Sequence, residues 1–132
     1  MNKEFVDRFM TRKEALRATF AQEHPQSYRE IVKAVVRTTL YDKEYSSYNP
    51  TPDPERVHEV DDGDYQGTLV YVIGAAGFEP STYWYTSVYY GSCSGCDTLL
   101  GICDDYSEAP TRQQVDDYMT LALHIVQGLK VM

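Results

Sequence analysis

Apolar positions along the chain fall into three helical stretches around a β-rich middle. Ser27-x-x-Glu30 has the form of a capping box. Tyr28, Ile31, Val32, Val35, Val36, Thr39 and Leu40 follow it at i, i+3, i+4, i+7 spacing, the clearest amphipathic helix in the chain. Earlier, Phe5, Val6, Phe9 and Met10 make two apolar turns. Thr11-x-x-Glu14 then reads as another box, with Ala15, Leu16, Thr19 and Phe20 on one stripe. The first helix is therefore expected to begin near residue 2 and to be re-entered at Thr11. Pro110 and Thr111-x-x-Gln114 open a third helix, which carries Val115, Tyr118, Met119, Ala122, Ile125, Val126 and Leu129 at helical spacing.

The middle alternates differently. Thr68–Ile73 and Thr82–Tyr90 are rich in Val, Ile, Leu and Tyr, and the break from Gly74 to Pro80 separates them. They read as an antiparallel pair. Asp61-Asp62-Gly63-Asp64 is a turn, and Val57–Val60 supplies an edge strand. Residues 41–56 contain three prolines and scattered tyrosines, and read as a connecting loop. Asp97–Cys103 reads as a short helix. The expected fold is α+β, with N-terminal helices and a long C-terminal helix around a small antiparallel sheet. At 132 residues this is one domain: a helical part at 1–41, a loop at 42–56 and a β/α part at 57–132. Tyr83, Tyr85 and Tyr89 fall on one strand face, and Trp84 with Tyr90 on the other. Either one aromatic face is exposed or the sheet is covered on both sides.

Charge sharpens the picture. The net charge is −8. Residues 1–40 hold eight Lys/Arg and five Asp/Glu, whereas residues 41–132 hold four and fifteen. Such a surface repels nucleic acid and attracts basic proteins, so direct nucleic-acid binding is not expected. There is no run of about 18 apolar residues, hence no expected membrane span. Met1-Asn2-Lys3-Glu4-Phe5 lacks the apolar segment of a signal peptide, so a cytoplasmic protein is expected.

Candidate chemistry centres on Cys93-Ser94-Gly95-Cys96, a knuckle at the end of a strand. Glycine lets the backbone turn so that two sulfurs face one point, and zinc takes such a pair as half of a tetrahedral site. The other ligands are sought among Cys103, His124, His58, His24 and carboxylates such as Asp61 or Asp64. Cys103 follows Cys96 by seven residues, about 10.5 Å along a regular helix. Two sulfurs on one zinc lie only about 4 Å apart, so Cys103 reads as a buried thiol. His124 is the better candidate: it flanks the apolar stripe of the last helix, and Gly128 one turn on leaves room for another element. Its alternative is a core-edge histidine with a hydrogen-bonded ring. His58 could reach in from the acidic turn. His24, before Pro25, reads as a surface loop residue.

Two rival readings of the cysteines stay open. Strand, C-x-x-C, then helix is also the order of a thiol–disulfide site with Cys93 as nucleophile, although no following β-β-α half is legible. Both cysteines could equally be unligated. Other catalytic patterns fail. His58 is followed directly by Glu59 and Cys93 is preceded by Ser92, so the deaminase signature is absent. The zincin, phosphate-loop, nucleophile-elbow and dinucleotide fingerprints are absent too. The acidic pairs, Asp116/Asp117 among them, read as solvated faces. A non-enzymatic role follows.

The strings Asp61-Asp62-Gly63-Asp64-Tyr65-Gln66-Gly67-Thr68, Tyr90-Gly91-Ser92-Cys93-Ser94-Gly95-Cys96-Asp97-Thr98-Leu99 and Leu121-Ala122-Leu123-His124 look like those of small phage-encoded proteins. The chain resembles zinc-containing phage inhibitors of type II-A CRISPR systems (anti-CRISPR proteins), over about half its length, mainly residues 57–132. The resemblance implies a host-cytoplasm protein that binds Cas9, a basic nucleic-acid-binding protein, and blocks its action on DNA. It also favours His124 as a ligand. A phage regulatory or structural protein with another basic partner is the remaining alternative.

Overall fold

The computed structural model describes residues 3–44, 50–61, 67–77, 82–91, 97–102 and 108–132. Helix α1 runs unbroken over Lys3–Gln22 and buries Phe5, Phe9, Leu16 and Phe20. Thr11 does not restart it. Its hydroxyl donates to the Asp7 carbonyl one turn back, at 2.9 Å, so the Thr-x-x-Glu spacing is not a cap here. Ser27 does cap α2 (Tyr28–Val35), accepting from the Glu30 N–H at 3.2 Å. The apolar stripe then continues through a π-helical turn over Val36–Leu40. The carbonyls that this turn leaves open are met from elsewhere. Arg8 Nη1 donates to Leu40 O at 2.9 Å, Arg12 Nη1 to Tyr41 O at 3.1 Å, and the Thr51 hydroxyl to Leu40 O at 2.9 Å. Part of the basic excess of residues 1–40 thus closes the end of a helical segment.

The sheet is a four-stranded antiparallel meander in the order β1-β2-β3-β4. Its strands are β1 Pro52–Asp61, β2 Gly67–Ala75, β3 Tyr83–Tyr90 and β4 Lys130–Val131. The expected α+β class and the β2/β3 pair are both found. The expected loop is shorter than its prolines suggested, because Pro52–Arg56 belong to β1. A register shift between Pro52 and Val57 and an edge position let a strand carry Pro52 and Pro54 without breaking a ladder. β4 carries no sequence signal: it is two residues long and pairs Val131 with Trp84 and Lys130 with Tyr85.

The described helices pack on one side of the sheet. On that side Val57, Tyr71, Ile73, Trp84 and Val88 meet Phe5, Phe20, Ile31, Tyr118 and Val126 in one core. Phe5 stands edge-on to Trp84 with ring centroids 5.6 Å apart. Helix α3 (Thr98–Ile102) follows β3, and α4 (Arg112–Gln127) returns along α1. Helix α4 opens with the full reciprocal capping box of Thr111 and Gln114. Near its end a Cβ on Gly128 would stand 3.1 Å from Thr86 Oγ1, so the missing side chain admits strand β3.

Candidate functional site

Gly91 directly follows β3 and Asp97 directly precedes α3. Cys93 and Cys96 lie between them, outside the described residues, as does Cys103. The flanks are held by a feature that sequence reading missed. Asp97 is only 7% exposed. Its Oδ2 accepts the Gly91 N–H at 3.0 Å, and its Oδ1 accepts the Leu99 N–H at 3.0 Å and the Tyr28 hydroxyl at 2.6 Å. One carboxylate thus ties the residue before the cysteine segment to the helix after it, and fastens both to α2. Burial, and then the bond to Asp97, push the Tyr28 hydroxyl pKa well above the usual tyrosine range, so it stays a donor. An aspartate directly after a C-x-x-C was the available signal; nothing in one sequence says that it is buried.

Two more tyrosine–carboxylate pairs stand at the same end of the sheet. Tyr71 donates to Glu59 Oε1 at 2.7 Å and Tyr90 to Asp61 Oδ1 at 2.6 Å. Tyr71, wholly buried, has its pKa raised by desolvation first and then by Glu59. Asp61 pairs with Leu69, and Gly67 with Tyr90. The β1–β2 connection and the cysteine segment therefore leave the same end of the sheet. Asp61 sits there; Asp64 lies outside the described residues.

The histidines are dispersed. His58 is exposed on the outer face, in a row with Val72, Tyr85 and Lys130. His124 is exposed on α4, on the helical side. The sheet stands between the two, so they do not meet at one ion. Gln114, whose Nε2 reaches Ile102 O of α3, precedes His124 by ten residues, about 15 Å of helix. His24 is no surface residue. It is 5% exposed, and its Nδ1 lies 2.6 Å from the Tyr118 hydroxyl. Asp116 pairs with Arg17 at 2.6 Å, and Asp117 accepts from Gln113. Among the described residues no group of three or more His, Cys, Asp or Glu side chains is placed to hold a metal. The chemical fit to zinc rests on the two thiols and on the anchored flanks of their segment.

The outer face of the sheet is the second notable surface. Alternation puts Val60, Thr68, Val70, Val72, Tyr83, Tyr85, Ser87 and Tyr89 on it, opposite the core. The expected split of Tyr83, Tyr85 and Tyr89 from Trp84 and Tyr90 is what is observed: Trp84 is buried, Tyr90 is packed against the core, and Tyr89 is 56% exposed. Among the described residues no helix covers this face, and none is long and apolar enough to cross a membrane. No family model, no curated protein and no solved structure matches the chain.

Proposed function

We propose that this chain is a non-catalytic, zinc-stabilised binding domain. Its thiolate pair is Cys93 and Cys96, and its partner is a basic nucleic-acid-handling protein; Cas9, in a host cytoplasm, is the partner that the sequence resemblance implies. The observation that carries the reading is the Asp97 clamp. A C-x-x-C metal knuckle needs a segment whose ends return to one place, and Asp97 supplies that return from Gly91 to Leu99. Metal-bound cysteines are oriented by the hydrogen-bonded structure around them. His124 shares the helical side with α3, and Asp61 lies at that end of the sheet; His58 is on the other face. The redox alternative is less well supported. A reactive thiolate wants positive surroundings, and a buried aspartate follows Cys96 directly.

Elemental mass spectrometry of the purified protein tests the metal. The expected result is about one zinc per chain, lost in Cys96→Ser together with about 5–10 °C of melting temperature. His124→Ala should lower zinc content while His58→Ala leaves it intact. A zinc-free wild type, or an unchanged melting temperature in Cys96→Ser, overturns the zinc reading. Retention on immobilised Cas9 that weakens as salt rises tests the partner, and no retention at low salt removes Cas9 from the reading.

A further inference from the structure

Of the large apolar side chains that the described residues leave open, Val60, Tyr83 and Tyr89 share one surface, the face of the sheet turned away from the helices. Val70, Val72, Tyr85 and Ser87 lie among them. Charge also sets this face apart. Alternation along β1 sends Glu59 and Asp61 to the core side, where they accept from the Tyr71 and Tyr90 hydroxyls. His58 and Lys130 stand at the two ends of one row of the face, and Arg56, at a corner, is 3.6 Å from Asp53. Among the described residues from Val60 across to Lys130 the face bears no carboxylate, although the chain has a net charge of −8.

We infer that this face packs against the same face of a second copy, making a two-fold symmetric dimer of sheets. The face is self-complementary about one axis. That axis lies in the plane of the face and crosses the strands midway between the row His58–Val72–Tyr85 and the row Val60–Val70–Ser87. Rotation about it lays each strand antiparallel over its own copy. Tyr85 then stands over the second copy's Ser87, Tyr83 over its Tyr89 and Val72 over its Val70. A large side chain meets a small one, aromatic meets aromatic and aliphatic meets aliphatic, as facing sheets do when they interdigitate at about 10 Å. β4 is two residues long, so Lys130 has no β4 residue across the axis, and its ammonium stays in water at the rim.

Area and charge set the strength of this pairing. At about 4.8 Å between strands and about 3.4 Å per residue, a four-stranded face about seven residues long has a footprint of roughly 450 Å² on each copy, about 900 Å² for the pair before side-chain relief is counted. That is the small end of specific interfaces and fits a dimer with a Kd of about 10–100 μM. Two chains of net charge −8 repel each other, but Glu59 and Asp61 lie behind the sheet, and a Debye length of about 8 Å at physiological salt screens them across the stack. The dimer therefore tightens as salt rises. A basic protein finds no acid on this face to pair with, and a nucleic acid would lay its phosphates on a strongly acidic chain.

Sedimentation velocity of the purified protein up to about 300 μM, in about 0.05 M and about 0.5 M salt, tests the inference. A monomer–dimer equilibrium that tightens several-fold at the higher salt is expected. Ser87→Lys, an exposed change, should weaken it at least about tenfold and leave the melting temperature unchanged. This substitution makes the chain less negative, so a loss of dimer cannot come from net charge. Met10→Lys makes the same change of charge on the exposed side of α1 and should leave the dimer intact. A chain that stays monomeric at the highest concentration in high salt overturns the inference. So does a dimer that survives Ser87→Lys, or one that Met10→Lys dissolves equally. A monomer whose retention on Cas9 is abolished by Ser87→Lys would assign the face to that partner instead, and Tyr89-dependent binding of oligo-dT by a monomer would assign it to nucleic acid. Neither zinc nor Cas9 enters the sedimentation measurement, so the dimer and the proposed function stand or fall separately.

Discussion

Asp97 shows how much one buried polar residue can organise. Its oxygens collect donors from Gly91 just after β3, from α3 and from α2, in a setting where each unmet donor would cost about 1–3 kcal/mol. Asp97→Asn turns an acceptor into a donor against either Gly91 or Leu99, and should lower stability by about 2–3 kcal/mol in a urea melt. Tyr28→Phe removes one bond from the same carboxylate and should cost about 1 kcal/mol. The double variant should lose less than the sum, since both act on one network; strict additivity would show that the clamp is not a unit. Tyr71 sets a pH limit in the same way. Its folded pKa is raised above the unfolded value of 10.0, so its contribution is fully present below pH 10 and is lost as pH climbs beyond it. Melting temperature should therefore fall steeply above pH 10 in the wild type. The fall should be shallower in Tyr71→Phe, which starts lower at pH 8. Parallel curves would mean that Tyr71 is not the group responsible.

Among the elements, α4 is the one whose ends and faces agree most closely with its sequence. Thr111 and Gln114 satisfy each other's backbone N–H groups, and Arg112 opens the helix directly after. Thr111→Ala should cost about 1 kcal/mol at equilibrium, while the same change at Thr11, inside α1, should cost only a few tenths. Equal losses at both sites would contradict the different roles seen for the two threonines. The π-helical turn after α2 is a different case. Its stripe of Val36, Thr39 and Leu40 was legible as apolar periodicity, but its change of pitch was not. That pitch goes with three side-chain donors, Arg8, Arg12 and Thr51, arriving from remote parts of the chain to meet its carbonyls. The same holds for β1, whose prolines read locally as loop. Pairing with β2, a register shift and a position at the end of the strand order make them acceptable in a strand.

Across the whole molecule, charge is laid out by topology more than by sequence order. Arg8, Arg12 and Arg17 are basic in sequence, yet they are committed to Leu40, Tyr41 and Asp116. The acids of β1 line an edge of the sheet because the meander leaves that strand outermost. The sequence alone determined the helices, the central strand pair and the sorting of tyrosines from Trp84. Each of these follows from a local period of 3.6 or 2, or from a cap within four residues. Only the tertiary structure decided that His24 is buried against Tyr118, that His58 and His124 are parted by the sheet, and that Asp97 joins the flanks of the cysteine segment. Those facts depend on partners up to 94 residues away. A residue's own neighbours in sequence set its conformational preference, but not which distant group will desolvate it or bond to it.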